Sequence, residues 1–339
     1  FSELKTAYFS HGPCLTDVRY NGFYGVNRNV SLDATVNTLR TDDYVRTFYN
    51  LNYKFNTLNS IKKGWLFKMG GDGNFITPKV FYGNKKGLLG EVTISKSARK
   101  GDYILNRLEL KGEGPWWITF PNSDQLKKND LATGYRALII RNYESSFEGV
   151  KYFNPSLSLP VFKNMNVNCT LVPPEGVNSV NPGDYVKLDL EWITLPRIAE
   201  DYYGPNEVFR THLKGNPNSW KTVYREVIGN DLKVSVSNGV LLNNYPVVVK
   251  IKGRGIALMI EGGVGAVPVQ FKGLKSYDGY TLYKVEDGNL VVFDQSTFGN
   301  DFWQTDFDSK TQTYTRTYNL PLDDVQKSKW ILYYDTESR

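Results

Sequence analysis

Between Tyr44 and Asn56 the chain alternates. Val45, Thr47, Tyr49, Leu51, Tyr53 and Phe55 interleave with Arg46, Asn50, Asn52 and Lys54, with Phe48 as the exception. A period of two marks a strand with one buried face. Upstream, Leu32, Ala34, Val36 and Thr38 alternate with Asp33, Thr35 and Asn37, and the polar break Thr41-Asp42-Asp43 predicts a turn. The two stretches together predict a long antiparallel hairpin. Pairs that supply positive φ recur at Asn21-Gly22, Asp72-Gly73, Asn238-Gly239, Asp278-Gly279 and Asp287-Gly288, each an expected turn. The last two flank a β-branched and aromatic run over 280–285, and a meander of strands is the economical expectation for 233–318.

Helical signals are scarce. The best runs from Gly204 to Gly215: Pro205 suits a first turn, Gly215 a C-terminal cap, and Val208, Phe209, His212 and Leu213 share one face. One short helix over 205–214, packed on a sheet, is therefore expected, and no other segment holds a 3.6-residue period. No internal repeat is evident, which argues against a propeller or solenoid. A Pro-, Gly- and Asn-rich segment over 171–184 divides two strand-rich portions, 1–172 and 173–339. That segment is a domain boundary, or a long crossover within one continuous sandwich; pattern alone leaves both open. About 25 strands and little helix predict an all-β protein, a large antiparallel β-sandwich with stacked sheets ~10 Å apart.

Composition changes this picture only in part. The chain has 339 residues, about two domains' length or one large all-β unit, with 23 Tyr, 18 Phe and 7 Trp against 2 His and 3 Met. A net charge of +6 and the short basic clusters Lys62-Lys63 and Lys127-Lys128 give no nucleic-acid tail. No stretch approaches the ~20 apolar residues of a membrane-spanning helix. Cys14 and Cys169 are too few for a disulfide framework; they are one bridge or two buried thiols, the latter slightly favoured. Sequons stand at Asn29 and Asn168 and matter only in a eukaryotic secretory setting. The opening Phe-Ser-Glu-Leu, without Met or leader, suggests the later part of a longer polypeptide, with an upstream domain as partner.

The stretch Leu39 to Tyr49, then Tyr53-Lys54-Phe55, and the later run Pro182 to Trp192 resemble the giant antiparallel sandwich of the galactose-mutarotase-like class. That sandwich forms part of many polysaccharide lyases and some glycoside hydrolases. The resemblance covers about residues 5–320 and carries no diagnostic motif, so no catalytic residue transfers from it. It implies a carbohydrate-active protein, secreted or periplasmic, whose partner is a polysaccharide rather than nucleic acid or membrane.

A lyase neutralises a uronate carboxylate and removes the adjacent proton with Tyr, His or Lys. The N-terminal run holds His11, Tyr20, Tyr24 and Arg28 on loop-like sequence. His212 sits on the apolar face of the expected helix, followed by Trp220, Tyr224 and Arg225. Trp beside Arg is what sugar stacking and carboxylate clamping use, although ordinary residues closing a sheet edge read the same way. Asp301 and Trp303 interleave acid and aromatic residues as a sugar cleft does, with Asp306 and Asp308 nearby; hydrolysis would need two such carboxylates ~5–10 Å apart. Those two aspartates could also supply oxygens to a structural Ca²⁺, although the spacing matches no EF-hand; no other cofactor is expected. Too few His and Cys for zinc, glycine runs without phosphate-loop context, and no Gly-x-Ser-x-Gly elbow remove other chemistries. Three readings follow, in order: a polysaccharide lyase or hydrolase domain, a noncatalytic carbohydrate-binding or adhesion module, and a structural shell or capsid protein.

Overall fold

The computed structural model describes all residues except 1, 13, 26, 41–44, 62–63, 71–75, 95–105, 123–133, 163–165, 204–206, 230–231, 245, 263–265, 294–302, 323–326 and 335–339. With 64% of the described residues in strands and 8% helical, the protein is all-β and sandwich-like. The alternating segments form the expected hairpin, Val30–Arg40 against Val45–Phe55, with Arg40 opposite Val45.

That hairpin lies within a ten-stranded sheet. Its path runs Ser2–His11, Leu15–Tyr24, Val30–Arg40, Val45–Phe55, Tyr185–Pro196, Gly134–Phe147, Trp116–Phe120, Lys79–Asn84 and Gly87–Thr93, with Val150–Tyr152 attached to Gly134–Phe147. Each strand pairs antiparallel with its neighbours. One face packs on a four-stranded sheet of Phe67–Met69, Cys169–Val172, Ser156–Leu159 and Asn106–Glu109. The core between them gathers Leu51, Phe55, Ile118, Phe120, Leu138, Ile140, Leu188 and Leu190. Because side chains alternate, the residues between these, Trp117, Ala137, Ile139 and Ile193, point to the opposite face and build a second core there.

Two helices cover that second core. The helix α1, Glu207–Gly215, buries Phe209 and Leu213 as its pattern requires, whereas Val208 is 43% exposed. A further helix, α2, Trp220–Gly229, was not expected. Its Val223 and Val227 are buried and Trp220 and Tyr224 pack beside them, an i, i+3, i+4, i+7 stripe. Ser219 opens α2, its Oγ accepting the Lys221 N–H at 3.2 Å.

The segment over 171–184 connects the four-stranded sheet to Tyr185–Pro196, a central strand of the large sheet. Sheet membership changes instead beyond α2, where two five-stranded sheets enclose a separate core of Val249, Leu258, Val269, Phe271, Trp330 and Leu332. These strands do not form the expected meander. They alternate between sheets, and Val247–Ile251 runs parallel to Ala266–Leu274. Asn21-Gly22 is likewise no turn: both lie inside Leu15–Tyr24. A Cβ on Gly22 would stand 2.8 Å from the Leu4 Cα, so the glycine admits the bulged edge strand. Asp287-Gly288, with φ of 50° and 83°, does turn the hairpin between Tyr280–Glu286 and Asn289–Val292.

Cys14 and Cys169 are two separate buried thiols in different cores. Burial pushes the Cys169 thiol up to about 12. Asn168, the second sequon, is buried.

Candidate functional site

The expected site residues fall in separate places. His11 ends the first strand, its backbone opposite Thr16, with its side chain outside the described residues. Tyr20 packs half-buried against the core beneath the large sheet. Arg28 pairs with Glu3 and lies 5.2 Å from the Phe23 ring centroid. Asp301 lies outside the described residues. Trp303 is on the second sandwich, with the Arg316 guanidinium 5.2 Å from its ring centroid. Asp308 accepts the Lys310 N–H at 2.9 Å and so closes its own turn, and Asp306 accepts from Gln304 Nε2 at 3.1 Å.

The residues of the helical pair do come together. Trp220 stacks on Trp117 at 5.5 Å and 6° between planes, and the Tyr224 hydroxyl donates to the Lys85 carbonyl at 3.3 Å. Arg225 NH1 lies 3.3 Å from His212 Nδ1. A guanidinium only donates, so Nδ1 is the acceptor and Nε2 carries the proton. Nε2 is buried and has no hydrogen-bond partner. Burial, then Arg225 and Lys221, hold His212 down at about 4, so its ring is neutral near pH 7. This group sits on the helix-covered face of the large sheet.

Tyr24 lies on the other side. It lines a groove of about 660 Å³ with Trp65, Phe67, Tyr53, Asn29 and Asn59. Trp65 is 66% exposed and Tyr24 59%, so two large rings stand at the surface of a depression whose exposed lining is mainly apolar. Lys68 places its ammonium 4.4 Å from the Trp65 ring centroid. Asn29 Nδ2 donates to Asn59 Oδ1 at 3.3 Å, and Asn59 Nδ2 to the Thr57 hydroxyl at 2.7 Å. These bonds hold the side-chain amides in place at the groove wall. Trp65 was missed in the sequence; its signal is a tryptophan between Gly64 and Lys68 in a segment without strand alternation.

A second depression lies on the helix-bearing face, where the large sheet meets the second sandwich. It is lined by Asp17, Arg19, Asn37 and Asn50 from the sheet and by Gln270 and Lys272 from the sandwich, and it holds about 490 Å³. Burial pushes the Asp17 carboxyl above the usual carboxylate range against the pull of Arg19 and Lys272, and burial lowers Lys272 against the pull of Asp17. Deeper on this face Arg46 bridges Glu191 at 3.1 Å and Glu226 of α2, while Arg141 Nε donates to Glu191 at 3.0 Å. These four charges tie α2 to the sheet.

Compared with known proteins, no family model matches the chain, and no curated protein matches it in sequence.

Proposed function

We propose that this chain is a carbohydrate-binding β-sandwich protein of the galactose-mutarotase-like class and that it holds a polysaccharide in the groove between Tyr24 and Trp65. The observation that carries the reading is the pair of exposed rings at a groove walled by Asn29, Asn59 and Ser60. A sugar ring presents an apolar C–H face and an equatorial belt of hydroxyls. An aromatic face takes the first, and fixed amides take the second. Lys68 beside Trp65 favours a polymer that carries carboxylates. On this reading the chain works where such polymers are met, secreted or periplasmic.

Cleavage of that polymer by β-elimination is the second reading. The contact between His212 and Arg225 favours it, since a neutral imidazole and a cation stand together there. The burial of Nε2 weighs against it, because a nitrogen shut off from solvent cannot meet the proton of a bound polymer. Affinity electrophoresis over neutral and uronate-bearing polysaccharides, read beside the absorbance of an unsaturated uronate product, separates the two. Retardation without absorbance supports binding alone; absorbance abolished by His212→Ala supports elimination; neither signal refutes both.

A further inference from the structure

The cleft at the seam between the two sandwiches is a site of a different kind, and Asp17 is the residue that marks it. Asp17 is only 5% exposed; Arg19 and Asn37 approach its carboxyl, yet Oδ1 makes no well-formed hydrogen bond. A buried carboxylate oxygen short of a well-formed hydrogen bond is costly, so this edge of Asp17 has use for one further donor. Its other oxygen stands 3.6 Å from Arg19 NH2. Asp17 lines both the 490 Å³ cleft and a neighbouring one of about 640 Å³, and Leu242, Gln270 and Lys272 also line both. The two depressions therefore meet at the Asp17–Lys272 position and form one trough along the seam.

The register of the large sheet shows how the floor is built. Asp17 is opposite Asn37, and one row along, Arg19 is opposite Thr35, Thr35 opposite Asn50, and Asn50 opposite Asp189. Side chains directly across strands share a face, so each row presents donors and acceptors side by side. Asn50 Nδ2 already donates to Asp189, and Asn52 Nδ2 to Asn50 Oδ1 at 2.8 Å. Charges of both signs interleave: Asp17 faces Arg19 and Lys272, Asp306 and Asp308 act on Lys272 as well, Asp189 is held by Asn50, and Arg141 is held by Glu191. The unmet demand is for a hydroxyl that gives its proton to Asp17 and takes one from Lys272.

We propose that the seam trough binds a neutral saccharide, with adjacent ring hydroxyls bridging Asp17 and Lys272. A hydroxyl is donor and acceptor at once, which neither a carboxylate nor an ammonium group is. The site is separate from the Tyr24–Trp65 groove, which lies on the opposite side of the large sheet, and it differs from it in taking uncharged units.

The test uses the full chain carrying Trp65→Ala, which removes the aromatic groove, and isothermal titration with gluco-, galacto- and manno-tetrasaccharides and a uronate tetrasaccharide. Saturable binding of at least one neutral tetrasaccharide is expected, weakened tenfold or more by Asp17→Ala and by Lys272→Met. In the unmutated chain the same sugar should protect Lys272 from amine acetylation, a readout that needs no seam variant to fold. Binding of the uronate alone, unchanged affinity in both seam variants, or no binding with Lys272 unprotected would each overturn the proposal. Loss of all binding on Trp65→Ala with Lys272 unprotected would leave the aromatic groove standing and refute the seam. Retained binding that depends on Asp17 does the reverse.

Discussion

The side-chain amide of Gln304 pairs with the backbone of Leu15 as a strand neighbour would. Its Oε1 accepts the N–H groups of Leu15 and Cys14, both at 2.9 Å, and its Nε2 donates to the Leu15 carbonyl at 3.0 Å. Gln304 is 6% exposed and belongs to the second sandwich, so this amide joins that unit to the first hairpin turn of the large sheet. Replacement by Leu removes three hydrogen bonds in a buried place, although the Leu15 carbonyl keeps the Gly12 N–H at 3.2 Å. We expect Gln304→Leu to cost roughly 2–4 kcal/mol, at ~1–3 kcal/mol per buried unsatisfied group with partial relaxation. Gly12→Ala should act through the same amide, since a Cβ there would stand 2.6 Å from Oε1. Urea melts of both variants check this; wild-type midpoints would mean that the amide does not join the two units.

Arg46 is buried between Glu191 and Glu226. Arg46→Met removes the cation and leaves both carboxylates in a dry place. The expected loss is ~3–5 kcal/mol, the cost of breaking one partner out of a buried pair. Replacing Arg46 and Glu226 together should cost less than the sum of the singles, which a double-mutant cycle measures.

His212 gives a pH dependence of known sign. The unfolded imidazole takes its proton near 6.5, the folded one at about 4. Between those values the unfolded chain binds the extra proton, so acidification favours unfolding. The stability that neutral His212 contributes is therefore complete above pH 6.5 and is lost as pH falls to about 4. The difference in unfolding free energy between wild type and His212→Gln, followed over pH 7 to 4, should change in that window and level off below it. A constant difference would contradict the assignment.

Two free cysteines in different cores predict two alkylatable thiols on the unfolded, unreduced chain, and slow labelling of the folded one. Burial raises Cys169 to about 12, so little thiolate exists at neutral pH to react. Mass spectrometry after iodoacetamide reads both states; a mass two hydrogens lower without label would indicate a bridge.

Much of the fold is legible in the sequence because one physical rule dominates it. The hairpin over 30–55 alternates over most of its length because one face meets a core, and Phe48 breaks the pattern where the other face is covered as well. The helix α1 is legible for the same reason, with Phe209 and Leu213 one turn apart. What escapes is partnership. Runs of β-branched and apolar residues mark Val247–Ile251 and Ala266–Leu274 as strands, yet nothing local says that they pair in parallel. The helix α2 escapes because Trp220, Tyr224 and Arg225 suggest a sugar platform, while Trp220 and Tyr224 belong to one apolar stripe with Val223 and Val227. Trp220 is spent on stacking with Trp117, a contact that requires the fold to exist first. The candidate sites are less legible still. Tyr24 and Trp65 meet only once the small sheet closes over the large one, and Asp17 meets Lys272 only where two sandwiches dock.

The most direct measurement of the central claim is affinity electrophoresis of the wild type, Trp65→Ala and Tyr24→Ala through gels containing each of a panel of neutral and uronate-bearing polysaccharides. The account predicts that at least one polymer retards the wild type and that each substitution weakens that retention. Loss of one stacked ring is expected to cost about 1–2 kcal/mol, or roughly five- to thirtyfold in affinity, with unchanged melting temperatures because both rings are exposed. Equal retention of all three proteins, or retention of none by any polymer, would contradict it.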